Sequence, residues 1–258
     1  MKFVTAAGLR EGEGRAIQCM PKLDRSLMER AGQGLAGAIR TLSAYRRTPL
    51  SIRLLAGPGN NGGDAFAAAL FLAGCGLRPE VWLACPAAKL KGAARHFFEK
   101  MSEKGIPWRE MAAEQDWLAA PDVPSPPILV DGLLGTGARG APEGVLRAAI
   151  EYLNAKNRES LVISADIPSG MDADTGTAVG AVVQADYTVT MAYPKTGMAA
   201  LAAAENLGSL WSVPIGLPAE FADVIPAAMP DLQWISAEDV RRILPRRRRN
   251  SHKGTYGR

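Results

Sequence analysis

Four glycines crowd the stretch Gly57-Pro58-Gly59-Asn60-Asn61-Gly62-Gly63-Asp64, between a short apolar run and a helix that the sequence predicts from Asp64. With side chains left out at Gly57, Gly59, Gly62 and Gly63, backbone N–H groups can converge on an anion, and the helix adds the positive end of its dipole. The expected ligand is phosphorylated or nucleotide-like. Two more loops follow apolar runs that end in a carboxylate. Ile128-Leu129-Val130-Asp131 turns into Gly132-Leu133-Leu134-Gly135-Thr136-Gly137-Ala138-Arg139-Gly140, and Val162-Ile163-Ser164-Ala165-Asp166 turns into Ile167-Pro168-Ser169-Gly170-Met171-Asp172. Taken singly, either aspartate reads equally well as a helix cap. Two such carboxylates beside a phosphate-type loop would repel its ligand, and a bound cation is the simple remedy.

The glycine loop satisfies G-x-G-x-x-G at Gly57, Gly59 and Gly62, yet it is a poor redox fingerprint. In that fingerprint an acidic residue at the end of the second strand takes the ribose hydroxyls, whereas here Glu80 precedes the run Val81-Trp82-Leu83-Ala84-Cys85. No Gly-Lys-Ser/Thr follows any glycine run, which excludes a P-loop.

The elements that must position these loops are short apolar runs separated by helical stretches. Ser51 to Ala56, Val81 to Ala84, Ile128 to Val130, Leu161 to Ala165, Tyr187 to Met191 and Leu210 to Val213 read as strands covered on both faces, hence a mostly parallel, doubly wound sheet. Leu27, Ala31, Leu35, Ile39 and Leu42 mark one face of a long helix, and Ala87 to Lys104 and Gly144 to Ala155 predict two more. Gly32, Gly34 and Gly37 inside the first of these helices point to close packing against the sheet, or to backbone contact with a ligand or second subunit. In an open parallel sheet the strands' carboxyl ends share one edge, so the three loops should meet there. Pro121 to Pro127 reads as the approach to a strand, and a boundary falls near Pro245, after a short helix capped by Ser236 and running through Ile243.

A chain of 258 residues, 47 % of them hydrophobic, suits one α/β core with an appendage. Its net charge of +4 resides in the tail: residues 241–258 hold eight basic side chains and no acidic one, which leaves 22 basic against 26 acidic residues elsewhere. The run Arg246 to Arg249 reads as a solvated linker, and no nucleic-acid partner is expected. Cys19, Cys75 and Cys85 lack a C-x-x-C spacing and fit a reducing compartment. Charge appears too early for a signal peptide and no run is long enough to span a bilayer, so a soluble, cytoplasmic protein is expected.

The three loops together resemble the NAD(P)H-hydrate epimerase family, the YjeF N-terminal domain. Ala192-Tyr193-Pro194-Lys195-Thr196-Gly197 and Ile215-Gly216-Leu217-Pro218 extend the likeness, which runs from about Leu23 to Pro218. The resemblance implies a Rossmann-like three-layer α/β/α sandwich. It also implies interconversion of the R and S epimers of NAD(P)HX, NADH or NADPH hydrated at C6 of the nicotinamide ring, ahead of a dehydratase that takes the S epimer. By the same resemblance Asn60, Asn61, Gly62, Gly63, Asp64, Gly135, Thr136, Gly137, Ala138, Arg139, Gly140, Ala141 and Asp166 bind substrate. Asn61, Asp131 and Ser169 supply oxygens to a potassium ion, a donor set of amide, carboxylate and hydroxyl that suits a hard monovalent cation.

Asp166 is the expected acid/base, since inversion by ring opening or by hydroxide loss needs proton exchange. Thr136 could bind the migrating hydroxyl or only close its loop. Lys195 could steady a phosphate or be solvated. His96 lies in the charged stretch 89–104 and His252 in the tail, so neither is an expected base.

Two positions depart from the family pattern. Arg30 stands where Asn is usual, with substrate phosphate, a neighbouring subunit or solvent as its possible contacts, and Ala65 stands where Gly is usual. Ser251-His252-Lys253-Gly254-Thr255-Tyr256-Gly257 resembles the opening of the ADP- or ATP-dependent dehydratase domain. The expected organisation is an epimerase domain over 1–235 and a linker helix with basic tail over 236–258, leading in a bifunctional protein to a dehydratase partner. A homodimer through the N-terminal helices is suggested by relatives. The competing expectation is a catalytically silent scaffold fused to the dehydratase.

Overall fold

The computed structural model describes residues 1–43, 51–120, 128–178, 180–235, 237–244 and 249–255. The proline-rich approach 121–127, the Ser236 cap, the boundary near Pro245 and Arg246 to Arg248 lie outside them. In chain order the elements are α1 (Ala6–Cys19), α2 (Leu23–Ser43), β1 (Ser51–Ala56), α3 (Asn60–Gly74), β2 (Arg78–Leu83), α4 (Gly92–Glu103), β3 (Trp108–Glu110) and α5 (Glu114–Leu118), continuing with β4 (Ile128–Gly132), α6 (Gly144–Lys156), β5 (Leu161–Ala165), β6 (Tyr187–Met191), α7 (Ala204–Leu207), β7 (Ser209–Val213), α8 (Ala219–Ala222) and α9 (Ala237–Ile243).

Among the described residues, seven strands form one parallel sheet in the order β3-β2-β1-β4-β5-β6-β7. From β1 the chain winds outward through β2 and β3, then returns to β4 and winds the other way. The reversal between β1 and β4 opens a crevice at the strands' carboxyl ends. Alternating side chains sort the core. Ile52, Leu54 and Ala56 of β1 join the large cluster beneath α2, α3 and α4, while Leu55 faces a second cluster with Trp82, Leu129 and the apolar face of α6. Both sheet faces are therefore covered, as the apolar runs require.

Several expectations shift. The predicted helix from Ala87 to Lys104 is broken: a single 3-10 turn, Ala87–Lys89, precedes α4, and Gly92 enters it at φ +56°. The segment β3 was missed because all three of its residues are exposed on the sheet edge. Glu80 lies at the amino-terminal half of β2 and pairs with Arg53 at 2.5 Å, far from any ribose position. The glycines of α2 have separate reasons. A Cβ on Gly32 would lie 2.4 Å from the Cβ of Ala67 on α3, one on Gly34 would meet Val213, and Gly37 has open space. Close packing thus holds for two of them, against a helix as well as the sheet.

Also missed was α1. Thr5 caps it, its side chain accepting from Gly8 N at 3.0 Å, while Ala6 N donates to Asp174 Oδ1 at 2.7 Å. Val4 bridges Lys195, with Val4 N donating to Pro194 O and Thr196 N donating to Val4 O, both at 3.0 Å. Further along, Ala228 N donates to Phe3 O and Trp234 N to Met1 O, each at 2.9 Å. The first residues thereby clasp two late segments and lay α1 across the carboxyl edge. No described helix is long and apolar enough to cross a membrane.

Candidate active site

The helix α3 begins at Asn60, four residues earlier than the sequence suggests, so Asn60 to Gly63 form its first turn and Asp64 follows. Gly59 is its cap and brings no side chain, so the first amides keep free donors toward the crevice. The other glycines serve packing. A Cβ on Gly57 would lie 1.8 Å from Leu133 O, one on Gly62 2.0 Å from Gly57 O, and one on Gly63 2.5 Å from the end of Met28. Gly57 N donates to Gly132 O at 3.0 Å, which pins the first loop to the second.

Asp131 sits inside β4, fully buried, and organises the second and third loops. Its Oδ1 accepts from Ser169 Oγ at 2.5 Å and Leu133 N at 3.2 Å; its Oδ2 accepts from Ser164 Oγ at 2.8 Å and Ser169 N at 2.9 Å. Burial raises its pKa, and the bonds from Ser169, Leu133 and Ser164 oppose that rise. Ser169 Oγ also accepts from Leu134 N at 2.8 Å. Asn61 joins the knot by donating Nδ2 to Leu134 O at 2.8 Å, yet its Oδ1 is buried with no hydrogen-bond partner. A bare buried amide oxygen, on a residue linked through Leu134 to a hydroxyl and a carboxylate, is a donor that a cation would satisfy. The three residues expected to hold potassium are therefore brought together, and their donor types fit it.

Asp166 follows β5 with φ +62°, a conformation costing a non-glycine residue about 1–3 kcal/mol and typical of functional positions. Its Oδ1 is fixed by the ammonium of Lys195 and by Met191 N at 3.1 Å, while no described residue bonds its Oδ2. Lys195 is neither solvated nor free for a phosphate. It is fully buried, and its Nζ also donates to Thr190 Oγ1 at 2.8 Å and Met191 O at 3.2 Å.

These loops and α1 enclose a cavity of about 350 Å³. Among the expected substrate contacts, Asn60, Asn61, Asp64, Gly135, Thr136, Gly137, Ala138 and Asp166 line it. Arg139 and Gly140 line an adjoining cavity of about 70 Å³ with Asp172 and Thr177; Ala138 borders both. Gly62 and Gly63 are buried behind the first wall, and Ala141 is exposed outside both cavities. Thr136 O accepts from Arg10 Nη1 at 3.3 Å, which ties its loop to α1. Arg30 reaches Gly216 O at 3.2 Å across the surface.

Sequence reasoning missed Arg10 and Glu13, both from α1. Leu9, Glu13 and Ala16 fall at i, i+4 and i+7, so the inner face of α1 carries a carboxylate among apolar neighbours, and that anomaly was the available signal. Glu13 is pushed up to about 7, first by burial, then by the charge of Asp166, with Lys195 opposing. Asp64 is pushed well above the usual carboxylate range by burial, then by Asp166 and Glu13. Disfavouring the charged form of these carboxyls weakens the repulsion of an anionic ligand at a site otherwise rich in negative charge.

Residues 24–197 match the family described as YjeF-related protein N-terminus. The chain is 36 % identical to a bifunctional NAD(P)H-hydrate repair enzyme of Thermofilum pendens over 90 % of its own length but 42 % of that protein. It is 33 % identical to an NAD(P)H-hydrate epimerase of Rhodopirellula baltica, over 84 % of this chain and 85 % of that one. The chain thus spans less than half of the bifunctional relative and most of the single-function one. The crystal structure of the yeast protein ynu0 superimposes with a TM-score of 0.74 at 20 % identity, covering 93 % of this chain and 98 % of that one, and so shares the fold.

Proposed function

Because the chain belongs to the YjeF-related N-terminal family, we propose that it is an NAD(P)H-hydrate epimerase, interconverting (R)- and (S)-NAD(P)HX. The observation that carries this reading is the presentation of Asp166. Lys195 and Met191 occupy one of its carboxylate oxygens, and the other is left for a ligand in a cavity whose floor is the amide-rich start of α3. Those amides receive the substrate's phosphates, and the nicotinamide end reaches Asp166. The carboxylate then exchanges a proton with the hydroxylated ring carbon or its leaving group. Asn61 Oδ1, Asp131 and Ser169 hold a potassium ion, supported by the bare amide oxygen. When bound, the ion supplies positive charge at the loop junction and offsets the local carboxylates. The segment beyond residue 235 is a linker to a dehydratase domain, as the match to less than half of the bifunctional relative supports.

The test follows purified (R)-NADHX chromatographically in potassium buffer against the spontaneous rate. Potassium-dependent formation of the S epimer is expected, and Asp166→Asn lowers the rate by about 10²–10⁴. No acceleration by folded wild-type protein overturns the reading, and full activity in the variant removes Asp166 from the chemistry.

A further inference from the structure

We propose that Glu13 is a second catalytic residue of this site, giving a proton to the departing hydroxyl while Asp166 takes one from the incoming water; the inference rests on the epimerase reading above. Inversion moves a hydroxyl from one face of a ring to the other, so one group must assist departure and another must assist return. Asp166, in an ion pair with Lys195, is equipped to accept a proton. The cavity's other wall is α1, and Glu13 is the carboxyl it contributes, since Glu11 turns outward to pair with Arg15 at 2.5 Å. No described residue hydrogen-bonds the Glu13 carboxyl, which is left to a ligand.

The steps balance without any redox partner. Glu13 protonates the C6 hydroxyl, the C6–O bond breaks with its electron pair leaving as water, and the N1 lone pair forms the N1=C6 double bond. Water adds to the opposite face, its oxygen bonding C6 as N1 recovers its pair, and Asp166 removes the extra proton. In the reverse direction, or through solvent exchange, both carboxyls return to their starting states.

The surroundings suit a donor. Burial and Asp166 raise Glu13 to about 7, so half of it is protonated at neutral pH. The charged groups lining the same cavity are Arg10 on its own helix, Asp24 of α2, Asp64 of α3 and Asp166, with Lys195 paired behind Asp166. Asp64 is raised as well, but it lies on α3 just past the first-turn amides, where disfavouring its negative charge weakens repulsion of phosphate.

Wild type, Glu13→Gln and Glu13→Asp are compared in both directions from about pH 5.5 to 9, with the spontaneous rate subtracted and a parallel run in ¹⁸O-water. Wild-type activity is expected to fall as pH rises through about 7. E13Q should be slower by about 10²–10⁴ with KM changed by less than about threefold, should lose that limb, and should unfold thermally like a folded protein; E13D should retain part of the rate. Each inverted molecule should carry one solvent oxygen. E13Q within about threefold of wild type, a limb that persists in E13Q, or inverted product without solvent oxygen overturns the proposal. If E13Q does not fold, E13D with wild-type rate and pH profile does the same. Absence of acceleration by wild type overturns the underlying epimerase reading instead.

Discussion

The residues that matter most here are charged groups deprived of water, and each has a measurable cost. Lys195 is fully enclosed, and its ammonium is committed to Asp166, Thr190 and Met191. Lys195→Met leaves the Asp166 carboxylate without its counter-charge and should destabilise the fold by about 3 kcal/mol. Adding Asp166→Asn should recover part of that loss, and a denaturant-unfolding double-mutant cycle measures the coupling. Glu13 titrates higher in the fold than its ordinary 4.5. Its contribution to stability is therefore fully present below pH 4.5 and lost as pH rises through about 7. Glu13→Gln should equal wild type near pH 4 and exceed it by about 2–3 kcal/mol near pH 8.5, in urea titrations at both pH values. Asp131 and Asp166 were legible in the sequence because apolar strands run straight into them, and Ser169 only through the family resemblance of the loop that follows. Glu13 was not, because a lone carboxylate on a weakly amphipathic helix looks like surface until the helix is docked.

Among the elements, α2 shows how the same residue type can mean opposite things five residues apart. Gly32→Ala would force a methyl group against the backbone of α3 and should cost about 2–4 kcal/mol, whereas Gly37→Ala faces open space and should add about 0.5–1 kcal/mol. Thermal unfolding of the two variants separates them. From sequence alone the three glycines were equivalent, because what distinguishes them is the neighbour across the groove. The other six strands were legible from their apolar runs, while β3 was hidden by its exposed side chains and its reliance on β2 for pairing. The break before α4 was missed because the apolar pattern continues through Leu90 while the backbone does not.

At the scale of the whole molecule, alternation of strands and helices already implied a doubly wound parallel sheet, and hence one edge where the three loops meet. Nothing in that pattern said what closes the edge from above, since α1 is placed by backbone contacts with segments remote in sequence. The loop junction ties the halves of the sheet together, so a cation there should stabilise all of it. With potassium in place of tetramethylammonium at equal ionic strength, the thermal midpoint should rise by about 3–5 °C when the ion is near ten times its Kd. Asn61→Ala should abolish the difference.

The clasp between Val4 and the segment around Lys195 also has a temporal side. During synthesis at roughly 5–20 residues per second, the first helix emerges on the order of ten seconds before the stretch that will seat it. The floor of the crevice can form strand by strand as the chain lengthens, but its roof must wait. The cleft is thus finished by its oldest residues, and a nascent chain stalled before Lys195 would carry a site open to water on the side where α1 belongs.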